Sequence, residues 1–156
     1  MRIGHGIDVH RTSHDVTREL WIGLVHVPDG RGLEGHSDAD VATHALCDAL
    51  LGAANLGDLG RHFPDSDPQF ANVSSRRLLE ETLALVVGAG YRVTSADITI
   101  IAERPKLADF MPMMSEELTA MLGTIVSVKA TTAEGLGALG RVEGIAASAV
   151  VLVEEI

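Results

Sequence analysis

Polar and apolar residues alternate from Arg2 to Thr12, which predicts a strand with Ile3, His5, Ile7 and Val9 on one face and Gly4, Gly6, Asp8 and His10 on the other. Trp21-Ile22-Gly23 and Val25-His26-Val27 predict a short hairpin, with Pro28-Asp29-Gly30 as the turn that follows. The period then becomes helical. From Ala39 to Leu56 the chain is apolar nearly all round, so this helix should be largely buried, with Ser37 or Asp38 capping its start and Gly57 stopping it. Leu78, Leu79, Leu83 and Val86 mark a second helix from Ser75 to Gly90, capped by Ser74 or Ser75. A strand over 91–103, a methionine-rich helix over 107–123 and a strand beginning near Ser127 come next. The last segment, 143–155, is apolar on both faces and should be a central or interface strand. This order mixes antiparallel and crossover connections. It predicts an α+β fold of the α/β-sandwich kind: one domain over 1–156, a single mixed sheet with helices on one face, and a small β-hairpin beside it.

Composition narrows the function. Hydrophobic residues make up 46% of the chain but include only one Trp, one Tyr and three Phe, so aliphatic residues and alanine must build the core, and part of the surface is expected to pack against copies of the chain. A net charge of -10 argues against a nucleic-acid surface. No uncharged apolar run approaches the roughly 18 residues that a membrane helix needs, and the N-terminus lacks a signal pattern, so a cytoplasmic protein with no membrane partner is expected. The single cysteine, Cys47, fits a reducing compartment.

The acidic residues are unevenly placed. Asp38, Asp40, Asp48, Asp58, Asp65 and Asp67 crowd a region whose only Lys or Arg is Arg61, so an anionic substrate bound there would need metal ions to supply positive charge. Asp40, His44 and Asp48 fall at i, i+4 and i+8 on the long helix, stacking an imidazole between two carboxylates. Such a stripe is a ligand's geometry; its plain alternative is the solvent face of a buried helix. The first strand adds an Asp-x-His pair, Asp8 and His10, beside two glycines that leave bare backbone on which something could lie flat. Residues 57–68, rich in Gly, Pro and acceptors, look like a binding loop, and Thr131-Thr132-Ala133-Glu134-Gly135 forms a turn suited to phosphate. Two histidines and a carboxylate from separate elements, His10, His44 and Asp8, describe a catalytic zinc site with positions left open, or equally a non-haem iron facial triad.

The sequence closely resembles the 2-C-methyl-D-erythritol 2,4-cyclodiphosphate synthase family over essentially its whole length. The resemblance is carried by Arg2-Ile-Gly-His-Gly-Ile-Asp8-Val-His10, by His36-Ser37-Asp-Ala-Asp40 with His44, and by Gly57-Asp58-Leu-Gly60 with Phe63-Pro-Asp65-Ser-Asp67-Pro. Pro105-Lys106, Lys129-Ala-Thr131-Thr132-Ala-Glu134 and Gly140-Arg141-Val-Glu-Gly144 complete it. It implies a homotrimer with active sites between subunits, zinc on Asp8, His10 and His44, and a second divalent ion, magnesium or manganese, on Glu134. The implied reaction is metal-dependent intramolecular phosphoryl transfer on a cytidine diphosphate substrate, with release of CMP. His36 and Thr132 would act on the reacting phosphates.

Further implied substrate contacts are Asp8, Val9, His10, Ser37, Asp58, Leu59, Gly60 and the loop Phe63-Pro64-Asp65-Ser66-Asp67. From the neighbouring subunit would come Ala102, Pro105, Lys106, Leu107 and Ala108 at cytosine and ribose, with Thr131 and Thr132 at the diphosphate; Ala133, Glu134 and Arg141 complete the implied contacts. The departures are local: Ala138 and Leu139 where the family has an aromatic and a threonine, and Ser148 at a position often held by glutamate. These positions resemble ones lining a central cavity of the trimer. Two other classes carry the same residues differently. An iron oxygenase orders its ligands His-x-Asp, the reverse of this chain, and would consume oxygen, whereas a non-catalytic module would bind cytidine nucleotides without turnover.

Overall fold

In a computed structural model that describes residues 1–156, the predicted β1 runs Arg2–Arg11 and pairs antiparallel with β6, Gly144–Glu155, the last strand of the chain. β6 pairs on its other side with β4, Tyr91–Ile101, also antiparallel, and β4 pairs in parallel with β5, Val126–Thr131. The mixed sheet therefore has the order β1-β6-β4-β5, and the doubly apolar final strand is internal, as its pattern requires. Trp21–Ile22 (β2) and Val25–His26 (β3) form the separate hairpin, turning through Gly23 and Leu24, both at positive φ.

The long apolar helix is α1, Val41–Ala53, and it lies across β1 and β6. The bare backbone of β1 is what makes this possible. A Cβ on Gly4 would stand 1.8 Å from the Ala49 carbonyl oxygen, and one on Gly6 would stand 2.1 Å from that of Ala45. What lies flat on those glycines is thus the helix itself, docked backbone to backbone. After the four-residue α2, Leu59–His62, and a 3-10 turn at Pro68–Phe70, α3 runs Ser75–Gly88 with Ser74 as its cap. α4 runs Met111–Leu122, shorter than expected because residues 108–110 form a turn, and Gly123 ends it in the left-handed conformation. A further short helix, α5, occupies Gly137–Gly140.

The helices cover one face of the sheet. Beneath them Ile98, Ile100, Ala147, Ala149, Val151 and Val153 are buried. The opposite face stays open in the single chain, and Ile3, Ile7 and Val9 are 73%, 60% and 59% exposed there. Three large aliphatics in period-2 register on one strand form an apolar stripe of the kind that marks an association surface.

Candidate metal centre and substrate cleft

At the end of β1 the alternation that puts Gly4 and Gly6 against α1 puts Asp8 and His10 beside that helix, where His44 meets them. Asp8 Oδ2 lies 2.9 Å from His10 Nε2 and 3.1 Å from His44 Nδ1, and the two ring nitrogens are 3.2 Å apart. Three ligands at roughly 2.0–2.1 Å on a tetrahedral ion stand about 3.3 Å from one another, so the spacing is that of a metal's coordination face. The outer nitrogens support the same reading. His10 Nδ1 donates to the Glu34 carbonyl at 2.6 Å, which leaves Nε2 with its lone pair facing inward. His44 Nε2 faces the Ser75 hydroxyl at 3.0 Å and that of Ser37 at 3.2 Å; Ser75 donates in turn to Asp38, so His44 Nε2 is the donor and Nδ1 is the free ligand. Two inward lone pairs and one carboxylate oxygen make a donor set that fits a first-row cation.

In the metal-free state a proton on an inward ring nitrogen takes the ion's place: burial by itself would push the Asp8 carboxyl up, but the hydrogen bonds and charges of His10 and His44 outweigh it and hold Asp8 well below the usual carboxylate range. Burial works against a charged His10, and the bond to Asp8 overcomes it, raising the imidazole above its ordinary value. Asp48, half-buried one turn along α1, is raised by burial first and then by the charges of Asp58 and Asp8.

One member of the expected stripe does not take part. Asp40 is completely buried and serves as the N-cap of α1, a role expected of Ser37 or Asp38. Its carboxylate accepts from the backbone N–H groups of Gly23 at 2.8 Å, Leu24 at 2.7 Å and Thr43 at 3.0 Å, and from the Thr43 hydroxyl at 2.6 Å. It ties the hairpin to α1 and has no capacity left for a ligand. Asp38 instead binds Ser75 at the start of α3.

The triad opens into a cleft of about 280 Å³, whose other walls include His36, Asp48, Gly60, Phe63 and Asp65. His36 Nε2 faces Asp65 Oδ2 at 3.9 Å, both side chains largely exposed. Ser37 and Leu59 line this cleft too. Asp58 caps α2 by accepting from Arg61 N, and Asp67 caps the 3-10 turn. Val9 projects from the opposite, open face of the sheet.

The later candidates gather elsewhere. Pro105, Lys106 and Arg141 line a second cavity of about 560 Å³, together with Arg31 and Arg104. Thr131 ends β5, where Ala102 N donates to its carbonyl at 3.0 Å. Thr132 donates to Glu134 at 2.9 Å, in a turn where Glu134 takes a φ of 52°. Register places both groups at one end of the sheet, since Asp8 faces Ala147, Ala147 faces Ile100, and Ile100 faces Ala130. Three strand spacings separate them, about 14 Å. Within one chain, then, the triad and the Thr132–Glu134 turn sit on opposite edges of the same sheet end. Ser75 and the Glu34 carbonyl, which hydrogen-bond the histidines, were not expected from the sequence; Ser75 reads there only as a helix cap.

The site is that of a protein with a two-histidine, one-carboxylate group that could hold a metal ion, opening on an acidic cleft. Comparison places it further: the YgbB family model matches residues 1–154, and the chain belongs to that family. It is 56% identical to the 2-C-methyl-D-erythritol 2,4-cyclodiphosphate synthase of Geobacter metallireducens, over 99% of each chain. It is 54% identical to the synthase of Symbiobacterium thermophilum, over 98% of each. A solved 2C-methyl-D-erythritol-2,4-cyclodiphosphate synthase structure in a CDP-bound form superposes with a TM-score of 0.89 at 35% identity, over 98% of this chain and 100% of that one.

Proposed function

We propose that the chain converts 4-diphosphocytidyl-2-C-methyl-D-erythritol 2-phosphate to 2-C-methyl-D-erythritol 2,4-cyclodiphosphate and CMP, the reaction of the non-mevalonate isoprenoid pathway for which its relatives are named. The observation that carries this reading is the convergence of Asp8, His10 and His44 at the mouth of the cleft.

An oxygen of the 2-phosphate attacks the β-phosphorus. The new P–O bond forms as the bond from that phosphorus to the bridging oxygen breaks, and the electron pair leaves on the phosphate of CMP. The nucleophile is already anionic at neutral pH, so no side chain has to act as its base. The chain's task is alignment, shielding and charge. Asp8, His10 and His44 would hold zinc, which when bound would supply positive charge to oxygens that gain electron density as the bond transfers. Glu134, an exposed carboxylate that accepts from Thr132, would hold a second divalent ion, magnesium or manganese. His36 donates a hydrogen bond to the reacting phosphates, Thr132 turns its hydroxyl from Glu134 to do the same, and Asp58 with the Phe63 to Asp67 loop holds the methylerythritol hydroxyls. Phe63 and Phe70, packed edge to face at 5.3 Å, give the cleft an apolar wall.

A homotrimer completes the site. The open sheet face carries the apolar stripe Ile3, Ile7 and Val9, and the two half-sites lie on opposite edges of one sheet end, so a cyclic head-to-tail assembly brings the triad of one subunit against the Ala102 to Ala108 segment and the Thr131 to Glu134 turn of the next. No helix is long and apolar enough to cross a membrane, and a cytoplasmic location fits the expected substrate.

Incubation of the protein with this substrate, zinc and magnesium tests the assignment by phosphorus NMR. Resonances of a cyclic diphosphate and CMP are expected. Intact substrate, or only hydrolysis products, with a zinc-loaded protein would refute it.

A further inference from the structure

Arg18 sits in the loop between β1 and the hairpin, outside every motif that marks the site. Its side chain crosses to residues 33–37, the segment that leads into α1. Arg18 Nε donates to the Leu33 carbonyl, and one terminal nitrogen donates to the carbonyls of Gly35, at 3.0 Å, and Ser37. Its backbone grips the same segment, since the Arg18 carbonyl accepts from Gly32 N at 3.1 Å. A planar guanidinium fixes alternate residues of this strap, which bends at residues 35–37, in a way that a single-point cation cannot.

The groups held by that strap are the ones that hold the histidines. Between the Leu33 and Gly35 anchors is Glu34, whose carbonyl takes the His10 Nδ1 hydrogen bond. The Ser37 anchor carries the hydroxyl that meets His44 Nε2. The Gly35 backbone lies so close to the His10 ring that a Cβ there would stand 3.2 Å from Cε1. We propose that Arg18 is a positioning residue for the metal centre, fixing the strap that orients both imidazoles with their ligating nitrogens inward. The inference rests on reading Asp8, His10 and His44 as a metal site.

The test measures zinc affinity of the full-length protein by competition with a chromophoric chelator, and the visible spectrum of the cobalt-substituted form, for wild type, Arg18→Gln, Arg18→Lys and Leu118→Ala. Leu118 is buried on α4, which carries none of the ligands, so its variant reports what lost stability alone does to the site. Arg18→Gln keeps one short amide donor group and should bind zinc on the order of 10- to 100-fold more weakly with an altered cobalt band. Arg18→Lys should fall between it and wild type, and it decides the question by the same comparison if Arg18→Gln does not fold. Zinc affinity and cobalt spectra like wild type in the folded Arg18 variant overturn the proposal, as does an equal loss in Leu118→Ala. A wild-type protein that binds no zinc would instead overturn the reading of the triad itself.

Discussion

Replacing Gly6 by alanine adds one methyl group at the contact on which the metal centre depends. That methyl would stand 2.1 Å from the Ala45 carbonyl oxygen, 2.7 Å from Ala49 N and 3.0 Å from Asp48 Cβ. Ordinary contact begins near 3.4 Å, so the nearest pair falls short by about 1.3 Å, 3.4 less 2.1. Two of the three atoms are helix backbone, which cannot rotate aside as a side chain can. Either α1 lifts from β1 as a body or β1 bends. Overpacking a core generally costs about 1–3 kcal/mol, and with backbone on both sides the metal-free protein should lose about 3–5 kcal/mol, at or beyond the top of that range. Because β1 carries Asp8 and His10 while α1 carries His44, a shift of this size separates the ligands by far more than the roughly 0.2 Å that a zinc site tolerates. Zinc affinity should therefore fall at least about 100-fold. Urea unfolding of the metal-stripped protein reads the first effect, and chelator competition the second. Gly52→Ala, on the same helix with nothing within 4 Å of its added Cβ, serves as the control and should gain about 0.5–1 kcal/mol. A Gly6→Ala protein within about 1 kcal/mol of wild type that binds zinc normally would refute the backbone-contact account.

Three further outcomes are expected. Asp40→Ala strands three buried N–H groups at about 1–3 kcal/mol each before relaxation, so urea unfolding should show a loss of about 3–5 kcal/mol, and a loss under about 1 kcal/mol would remove Asp40 from its role as the tie between hairpin and helix. Cys47 is fully buried and burial pushes its thiol up to about 12, so at pH 8 roughly one molecule in ten thousand is thiolate; a chromogenic thiol reagent should label it only after denaturation, and rapid labelling of native protein would contradict its placement. Asp8→Asn and Thr132→Ala chains, each inactive alone, should recover activity when refolded together, since about one interface in four then pairs two intact halves; verified mixed trimers with no activity would mean that each chain builds its own site.

Strands and helices were legible because their periods are clean. β1 alternates strictly, α1 is apolar nearly all round and β6 is apolar on both faces, and each of those patterns admits one environment. The three ligands were legible for a related reason: Asp-x-His on a strand and a lone His on a buried helix are unusual enough to be read together. The Asp40, His44, Asp48 stripe misled because helical spacing says which side chains share a face and nothing about what that face meets. Asp40 stands at the first residue before the helix, where free N–H groups and the Gly23-Leu24 turn claim its carboxylate. Arg18 and the Glu34 carbonyl were illegible on different grounds. Backbone acceptors have no sequence signature, and an arginine that serves carbonyls leaves no charge pattern to find.

The position of the metal centre follows from how a strand and a helix keep step. Ala49 lies over Gly4 and Ala45 over Gly6, so four helical residues, about 6 Å of rise, are matched to two strand residues, about 6.7 Å. Continued one step further, the same march sets the first turn of α1 over Asp8, and there the requirement changes. Gly4 and Gly6 must be bare for the backbones to touch, whereas position 8 carries a carboxylate, so the elements have to part to admit it. His44, one residue before Ala45, fills the gap from the helix side, and His10 fills it from the strand side. The centre therefore forms at the point where backbone contact between β1 and α1 gives way to side chains. This is why a methyl group at Gly6, which touches no ligand, is expected to be felt at all three.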